Sequence, residues 1–360
     1  MSQKSALRAF PGGEGDGGAE GGAEGGAGAD SIYISKNVTG VTISGGSSSS
    51  TTDDGADTIY VNGSVVSSSF QGNGGADTLS IVGALDASTA RGGTGNDTLS
   101  FGQTITGSTV YGDAGRDTIV LDAGKVISSL VQGGSDTDTT NDGTDLISIA
   151  VSLSGSTVFG NAGNDTINLH GDSLVTGSSV HGGKDQDVIS AGAKTLTSSY
   201  LAGDLGNDTI SLQALSLFGT TIYGDNATTS GGDDSINLNT AATGLNNVSV
   251  YGGSGKDTLD LTDGIEDVVK TSYFQANAGA DSILFRGSAL SSTVRGGAGN
   301  DTLFLNYSGD GGSSAAQFFG DKGADYITVD LAFASSSTIY GDQDATGSGG
   351  GSDEIVGGAT

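Results

Sequence analysis

Gly92-Gly93-Thr94-Gly95-Asn96-Asp97-Thr98-Leu99 decides the fold, because the same phrase returns along the whole chain. It recurs as Gly112 to Ile119, Gly160 to Ile167, Gly203 to Ile210, Gly252 to Leu259 and Gly296 to Leu303. Anchored on its Asp, it has 15 copies: Asp30, Asp57, Asp77, Asp97, Asp117, Asp145, Asp165, Asp187, Asp208, Asp234, Asp257, Asp281, Asp301, Asp325 and Asp353. The spacing is 20 residues from Asp57 through Asp117 and rises to at most 28 elsewhere. The excess lies mostly in polar insertions such as 47–54, 135–142 and 226–231. A period near 20 with loop-like insertions implies a solenoid.

Working outward from the Asp, alternation implies a strand. The second residue after it is Ile or Leu in all 15 copies, and the fourth is apolar in all but Gly357. Thr often stands between, as at Thr58, Thr78, Thr98 and Thr118, so Ile and Leu point inward and Thr outward. A second strand precedes the glycines, with an apolar residue two before the turn (Phe70, Val110, Val158, Ile222, Val294, Ile339) and a small Ser or Thr two before that. A third apolar site, such as Val65, Leu85, Ile105, Leu153, Leu196, Leu217 and Leu245, plugs the far turn. The unit so read is glycine turn, strand, looser turn, strand. About 15 such coils stack by parallel pairing into an all-β parallel β-solenoid, and no helix is expected.

Composition narrows the function. The 360 residues include 66 Gly, one Pro, no Cys and no Trp. Thirteen Lys and Arg face 42 Asp and Glu, a formal net charge of -29. Disulfides, thiolate metal sites and Cys nucleophiles are excluded. So few basic groups exclude phosphate-backbone binding, hence no nucleic acid partner. No apolar run reaches the roughly 18 residues of a membrane helix, so no membrane insertion is expected. Residues 1–10 lack the apolar centre of a secretory leader, so the protein stays inside its producer, leaves by a route needing no N-terminal signal, or reached this form after processing; the expected location is extracellular, by export without such a signal.

Chemistry concentrates in the turns, Gly-[Gly/Asp/Asn]-x-Gly-x-Asp. Glycine permits tightly curved backbone that turns carbonyl oxygens toward one point, and the closing Asp adds a hard carboxylate. Stacked about 4.8 Å apart, such turns surround each gap with oxygens, as Ca2+ requires. Without a cation the stacked carboxylates repel and raise one another's pKa. Roughly 10 to 14 Ca2+ would nearly cancel the charge of -29. The candidate metal ligands are the 15 Asp of the register together with turn glycines Gly92, Gly112, Gly160, Gly203, Gly252, Gly296 and Gly320. The acids at the second turn position, Asp113, Asp204, Asp225, Asp321 and Asp342, are either ligands or solvated side chains.

These turns resemble the haemolysin-type (RTX) calcium-binding repeat, G-G-x-G-x-D-x-U-x. Gly92–Leu99, Gly252–Leu259 and Gly296–Leu303 fit it position by position, and repeats cover residues 25 to 357. Family units of nine residues place a metal turn on both edges of a coil. Here a unit of about 20 residues keeps one, which implies a single calcium row along one edge. Four turns are stretched, at 45–57, 133–145, 224–234 and 341–353, so their sites are expected to be altered, doubled or empty.

The remaining features point away from catalysis. His170 and His181 are the only histidines and read as surface residues, and no Ser-His-Asp order has a supporting motif, so no catalytic residue and no enzyme is expected. Tyr111, Phe159, Tyr223, Tyr251, Phe319 and Tyr340 share one outer column with Arg91, His181 and Arg295, which is either ladder packing or a glycan-stacking stripe. The sequence divides into an arm at 1–10, a Gly/Glu-rich linker at 11–24, the solenoid at 25–357 and a tail at 358–360. The expected role is a structural building block of an extracellular assembly (surface layer, filament or matrix) that associates with copies of itself when calcium is present, the arm clasping a neighbour. A surface glycan or another structural protein is a further expected partner. The alternative is a virion fibre or decoration protein. Lower alternatives are a glycan-modifying enzyme and an ice binder, whose Thr and Asn would lie in the turn as only Thr94-Gly95-Asn96-Asp97 does.

Overall fold

The computed structural model describes residues 6–8, 23–46, 54–134, 142–170, 173–193, 195–213, 216–226, 231–238, 244–261, 268–306, 314–330, 337–342 and 350–357. Residues 11–22 of the linker, the middle of each stretched turn and the tail at 358–360 lie outside these. Every regular element among the described residues is a strand, and no helix there is long and apolar enough to cross a membrane. The chain divides into two compact units, Met1–Ser173 and Leu174–Thr360.

In the first unit the strands after each Asp run parallel, from Ser31–Ile34 through Thr98–Phe101 to Thr166–Leu169. Their register aligns Ile32, Ile59, Leu79, Leu99, Ile119, Ile147 and Ile167 in one inward column, each at most 5% exposed. The strands before each turn, such as Ser69–Gly74, Thr89–Thr94 and Thr109–Ala114, form a second parallel row with Phe70, Ala90 and Val110 inward. Burial of each such Leu or Ile contributes about 1.5–3 kcal/mol, and only stacking of neighbours achieves it.

The second unit repeats this plan. Ile189, Ile210, Ile236, Leu259, Ile283, Leu303 and Ile327 align as one buried column. Phe274, Phe285 and Phe318 fill its interior edge-to-face, with centroids 6.2 and 5.8 Å apart.

The far turn is not a turn. Two- and three-residue strands such as Val65–Val66, Leu85–Asp86, Ile105–Thr106, Thr195–Thr197 and Ser216–Phe218 pair in parallel and make a third row. Each coil is three-sided, and the apolar residue expected to plug the turn is the inward residue of this strand. Among the described residues the third row holds twelve strands, so about 15 slightly overcounts the three-sided coils.

One corner of the coil carries the small polar residues. A residue in the left-handed region, for example Ser67 (φ 49°), Ala87 (φ 45°) or Ser128 (φ 47°), turns the chain, and a buried Ser follows it. Ser68 N–H donates to Ser88 Oγ of the next coil at 3.0 Å, and Ser88 Oγ–H donates to Asp86 O at 2.6 Å. Ser88, Ser108 and Ser129 continue the ladder, as do Ser272 and Ser292 in the second unit. The small inward group is therefore a hydrogen-bonding ladder.

Ala6–Arg8 pairs in parallel with Ser31–Tyr33 of its own chain, on the edge of the first coil.

Candidate metal centre

The glycine turn runs from an inward Gly to an inward Asp and contains two left-handed residues. The second position is left-handed at Asn73 (φ 80°), Gly93 (φ 115°), Asp113 (φ 79°), Asp204 (φ 80°) and Asp321 (φ 76°), and the fourth at Gly95, Gly115, Gly206 and Gly299. Gly, Asn and Asp are the residues that tolerate this conformation, which explains the Gly/Asp/Asn choice at position two. The first glycine is required for a different reason. A Cβ on Gly252 would stand 2.5 Å from both Asp257 Oδ2 and the Ala276 carbonyl of the next coil; on Gly296 it would meet Asp301 Oδ2 at 2.5 Å and Gly320 O at 2.6 Å. The carboxylate occupies the space a side chain would fill. Gly92, Gly112 and Gly320 are held the same way, a Cβ on Gly203 would meet Asp208 Oδ2 at 2.3 Å, and the Gly160 carbonyl would stand 3.0 Å from a Cβ on Gly133.

The Asp residues form one ladder in each unit. Asp57 N–H donates to Asp77 Oδ1, Asp77 to Asp97 and Asp97 to Asp117, each at 2.7 Å. Asp30 to Asp57, Asp117 to Asp145 and Asp145 to Asp165 continue it. In the second unit the ladder runs Asp187, Asp208, Asp234, Asp257, Asp281, Asp301, Asp325, Asp353, at 2.7–3.0 Å. Every ladder Asp from Asp30 to Asp325 is at most 6% exposed.

From Asp57 to Asp145 and from Asp208 to Asp325, Oδ1 of each carboxylate is thus engaged and Oδ2 is not. Oδ2 of Asp30, Asp57, Asp77, Asp97, Asp117 and Asp145, and of Asp208, Asp234, Asp257, Asp281, Asp301 and Asp325, is buried and has no hydrogen-bond partner. Burial chiefly, against the lowering effect of the backbone N–H and with help from the neighbouring carboxylates, pushes Asp97 up to about 7, Asp117 and Asp145 to about 8 and Asp234 to about 9. A column of negative charge held in a dry interior needs protons or a cation.

The oxygens present suit a hard divalent cation. The orphaned Oδ2 of one coil and the carbonyl of the next converge on one point at Gly252, so they lie no further apart than twice 2.5 Å. Among the described residues no three acidic or histidine side chains gather at a point, so backbone carbonyls would have to complete any coordination shell.

Second-position acids of the unstretched turns face outward and meet the outer column. Arg91 pairs with Asp113 at 3.4 Å, His181 Nδ1 lies 2.8 Å from Asp204 Oδ2, and Arg295 Nε donates to Asp321 Oδ2 at 2.8 Å. Arg91 also sits 4.2 Å over the Tyr111 ring and Arg295 4.6 Å over Phe319. Tyr223 and Tyr251 stack at 4.7 Å, as do Phe319 and Tyr340 at 5.0 Å, so the column packs as a ladder at these positions. His170 is exposed.

Sequence reading missed two groups. Asn96, Asn207 and Asn300, just before the Asp, each accept a backbone N–H from the next coil at 2.9 Å, so this Asn is a structural rung. Asp54 and Asp142 were also missed; the signal was an Asp-Gly-x-Asp phrase shared by Asp54–Asp57 and Asp142–Asp145.

No protein-family model matches the chain, and no curated protein matches it. The likeness to haemolysin-type repeats therefore rests on the turn residues alone. Among solved structures, the chain is similar to that of a hyperactive, Ca2+-dependent, β-helical antifreeze protein from an Antarctic bacterium, with 19% identity over 77% of this chain and 80% of that one and a TM-score of 0.50. At that identity the likeness establishes a shared parallel β-helical architecture.

Proposed function

We propose that this chain is a calcium-stabilised structural β-solenoid, a non-catalytic building block of an extracellular assembly. The observation that carries the reading is the ladder of buried Asp carboxylates, which from Asp57 to Asp145 and from Asp208 to Asp325 give Oδ1 to the preceding coil and leave Oδ2 without a donor. The ladder Asp and turn carbonyls at Gly92, Gly112, Gly160, Gly203, Gly252, Gly296 and Gly320 would hold roughly 10 to 14 Ca2+. Bound calcium neutralises the ladder and joins each coil to the next, so binding energy becomes folding energy. The Ca2+ dependence of the similar β-helical antifreeze protein supports this. One carboxylate per site implies weak affinity, in the range of extracellular calcium modules.

Self-association is part of the proposal. The edge of the first coil accepts a strand, supplied here by Ala6–Arg8 of the same chain. Exchange of that strand between copies would link subunits at little cost.

Ice binding is the second reading, favoured by the antifreeze likeness and by Thr58, Thr78, Thr98 and Thr118 stacked in register on an outer face. Leu146 ends that run, and the turn Asn are used as rungs. Thermal hysteresis of the folded protein tests it.

The experiment for the main reading is circular dichroism during chelation. EDTA at neutral pH should abolish the β signal and its cooperative melt, and roughly millimolar Ca2+ should restore both. A melt indifferent to EDTA would overturn the reading.

A further inference from the structure

The four stretched turns share a device absent from the others. Each contains a second Asp at the neck of its insertion, and these acids enter from opposite ends. Asp54 and Asp142 stand on the closing side, three residues before Asp57 and Asp145; Asp225 and Asp342 stand on the opening side, next to Gly224 and Gly341. All four nevertheless reach the same place. A Cβ on Gly46 would collide with Asp54 Oδ2, on Gly134 with Asp142, on Gly231 with Asp225 and on Gly350 with Asp342. Each carboxylate crosses the neck to a glycine on the other side.

Three of these acids also reach the same point in the next coil. Asp54 Oδ2 accepts from Gly74 N–H at 3.2 Å, Asp142 Oδ2 from Ala162 at 3.4 Å and Asp225 Oδ2 from Ser254 at 3.2 Å. Gly74, Ala162 and Ser254 are each the third residue of a following turn. Arrival from two chain directions at one position indicates that the position requires a carboxylate.

What it requires it for lies beside it. The ladder acids of three of these turns, Asp57, Asp145 and Asp234, are 2%, 1% and 3% exposed, and each keeps a buried Oδ2 without a donor. In these three turns a second carboxylate lines the same neck as the orphaned oxygen. In the unstretched turns, by contrast, Asp113, Asp204 and Asp321 face Arg91, His181 and Arg295.

We propose that the stretched turns are a second, tighter class of cation site, in which Asp54 with Asp57, Asp142 with Asp145, Asp225 with Asp234, and Asp342 with Asp353 each present two carboxylates to one calcium ion. This rests on the calcium reading above and adds to it that affinity is uneven along the chain. Ligand charge count sets calcium affinity, so the doubly acidic turns fill first and empty last. They act as pins spaced through the solenoid, two in each unit.

Stepwise removal of calcium from the loaded full-length protein by a competing chelator, with free calcium recorded, tests the proposal. About four ions per chain should leave only at free calcium at least about tenfold below that which releases the rest. Asn keeps an acceptor oxygen for the neck hydrogen bonds and removes the charge. The quadruple variant Asp54→Asn, Asp142→Asn, Asp225→Asn, Asp342→Asn should therefore lose the tight class, keeping its remaining ions and its circular dichroism in excess calcium. If the quadruple variant fails to fold, each single variant should lose one tight ion. A single affinity class in the unmodified protein, or a quadruple variant whose curve superimposes on it, overturns this inference and leaves the calcium ladder standing. A protein that binds no calcium overturns both.

Discussion

At the serine corner, Ser68 N–H donates to Ser88 Oγ of the next coil at 3.0 Å; at the glycine turn, Asp57 N–H donates to Asp77 Oδ1 at 2.7 Å. Both corners meet the same need, since a sharp bend takes a backbone N–H out of the strand ladder and a side chain of the next coil must accept it. The difference is what remains afterwards. Ser88 passes its own proton to Asp86 O, and the corner is satisfied and neutral. As a carboxylate Asp77 has no proton to donate, and its Oδ2 is left buried without a donor. The serine corner is complete from the chain alone, whereas the Asp corner is complete only with a proton or a cation. That asymmetry is why the proposed calcium sites lie along one edge of the coil and not the other.

The comparison breaks most readily at an interior rung. Asp117→Ala removes the acceptor for Asp97 N–H and one carboxylate from the ladder. The orphaned N–H alone costs about 1–3 kcal/mol, and loss of a cation site adds to it. Asp30→Ala, at the start of the described ladder, deprives no preceding Asp of its acceptor and should shift the calcium midpoint far less. Equal shifts would mean that coils are not coupled through the ladder.

A smaller effect should appear with pH in calcium-free buffer. Asp117 and Asp145 are raised to about 8 and Asp97 to about 7, mainly by burial, from an ordinary value of 3.8. A folded-state pKa above the unfolded one means that protonation stabilises the fold. This contribution is present in full below about pH 4 and is lost as pH rises through about 7 to 8. Metal-free protein should thus melt cooperatively at pH 5 and show no such melt at pH 8. With saturating calcium the order should reverse, because the metal binds the carboxylate form. Identical pH profiles with and without calcium would contradict the ladder's role.

The smallest effect sharpens the other side of the comparison. Ser108→Ala removes the acceptor for Ser88 N–H, at a cost of about 1–2 kcal/mol. The melting temperature in saturating calcium should fall while the number of bound ions stays the same. A change in that number would show that the serine corner also bears on the metal sites.

The strand phase, the inward columns and the Asp register were legible in the sequence because each repeats with the period of its own structure. Leu79, Leu99 and Ile119 recur at 20 residues and alternate with Thr. The third row was hidden, since strands of two residues such as Leu85–Asp86 are too short to show alternation. Ser88 and Ser108 were visible as a column, but a small residue and a hydrogen-bonding rung leave the same trace. Asp113 left ligand and solvated group open in the sequence. Its positive φ and its pairing with Arg91 supply a reason for Asp that neither reading contained. Asp54 and Asp142 end polar insertions, and the Asp-Gly-x-Asp phrase they share gains its meaning only from the fold, which brings each across the neck to a glycine.

The central claim is that the orphaned Oδ2 atoms of the Asp ladder are calcium ligands. The most direct test is the calcium content of the folded full-length protein, by elemental analysis after equilibrium dialysis against millimolar Ca2+ at neutral pH. The account predicts roughly 10 to 14 ions per chain, falling by about one with each interior ladder Asp replaced by Ala. A folded protein that retains no calcium under these conditions would contradict it.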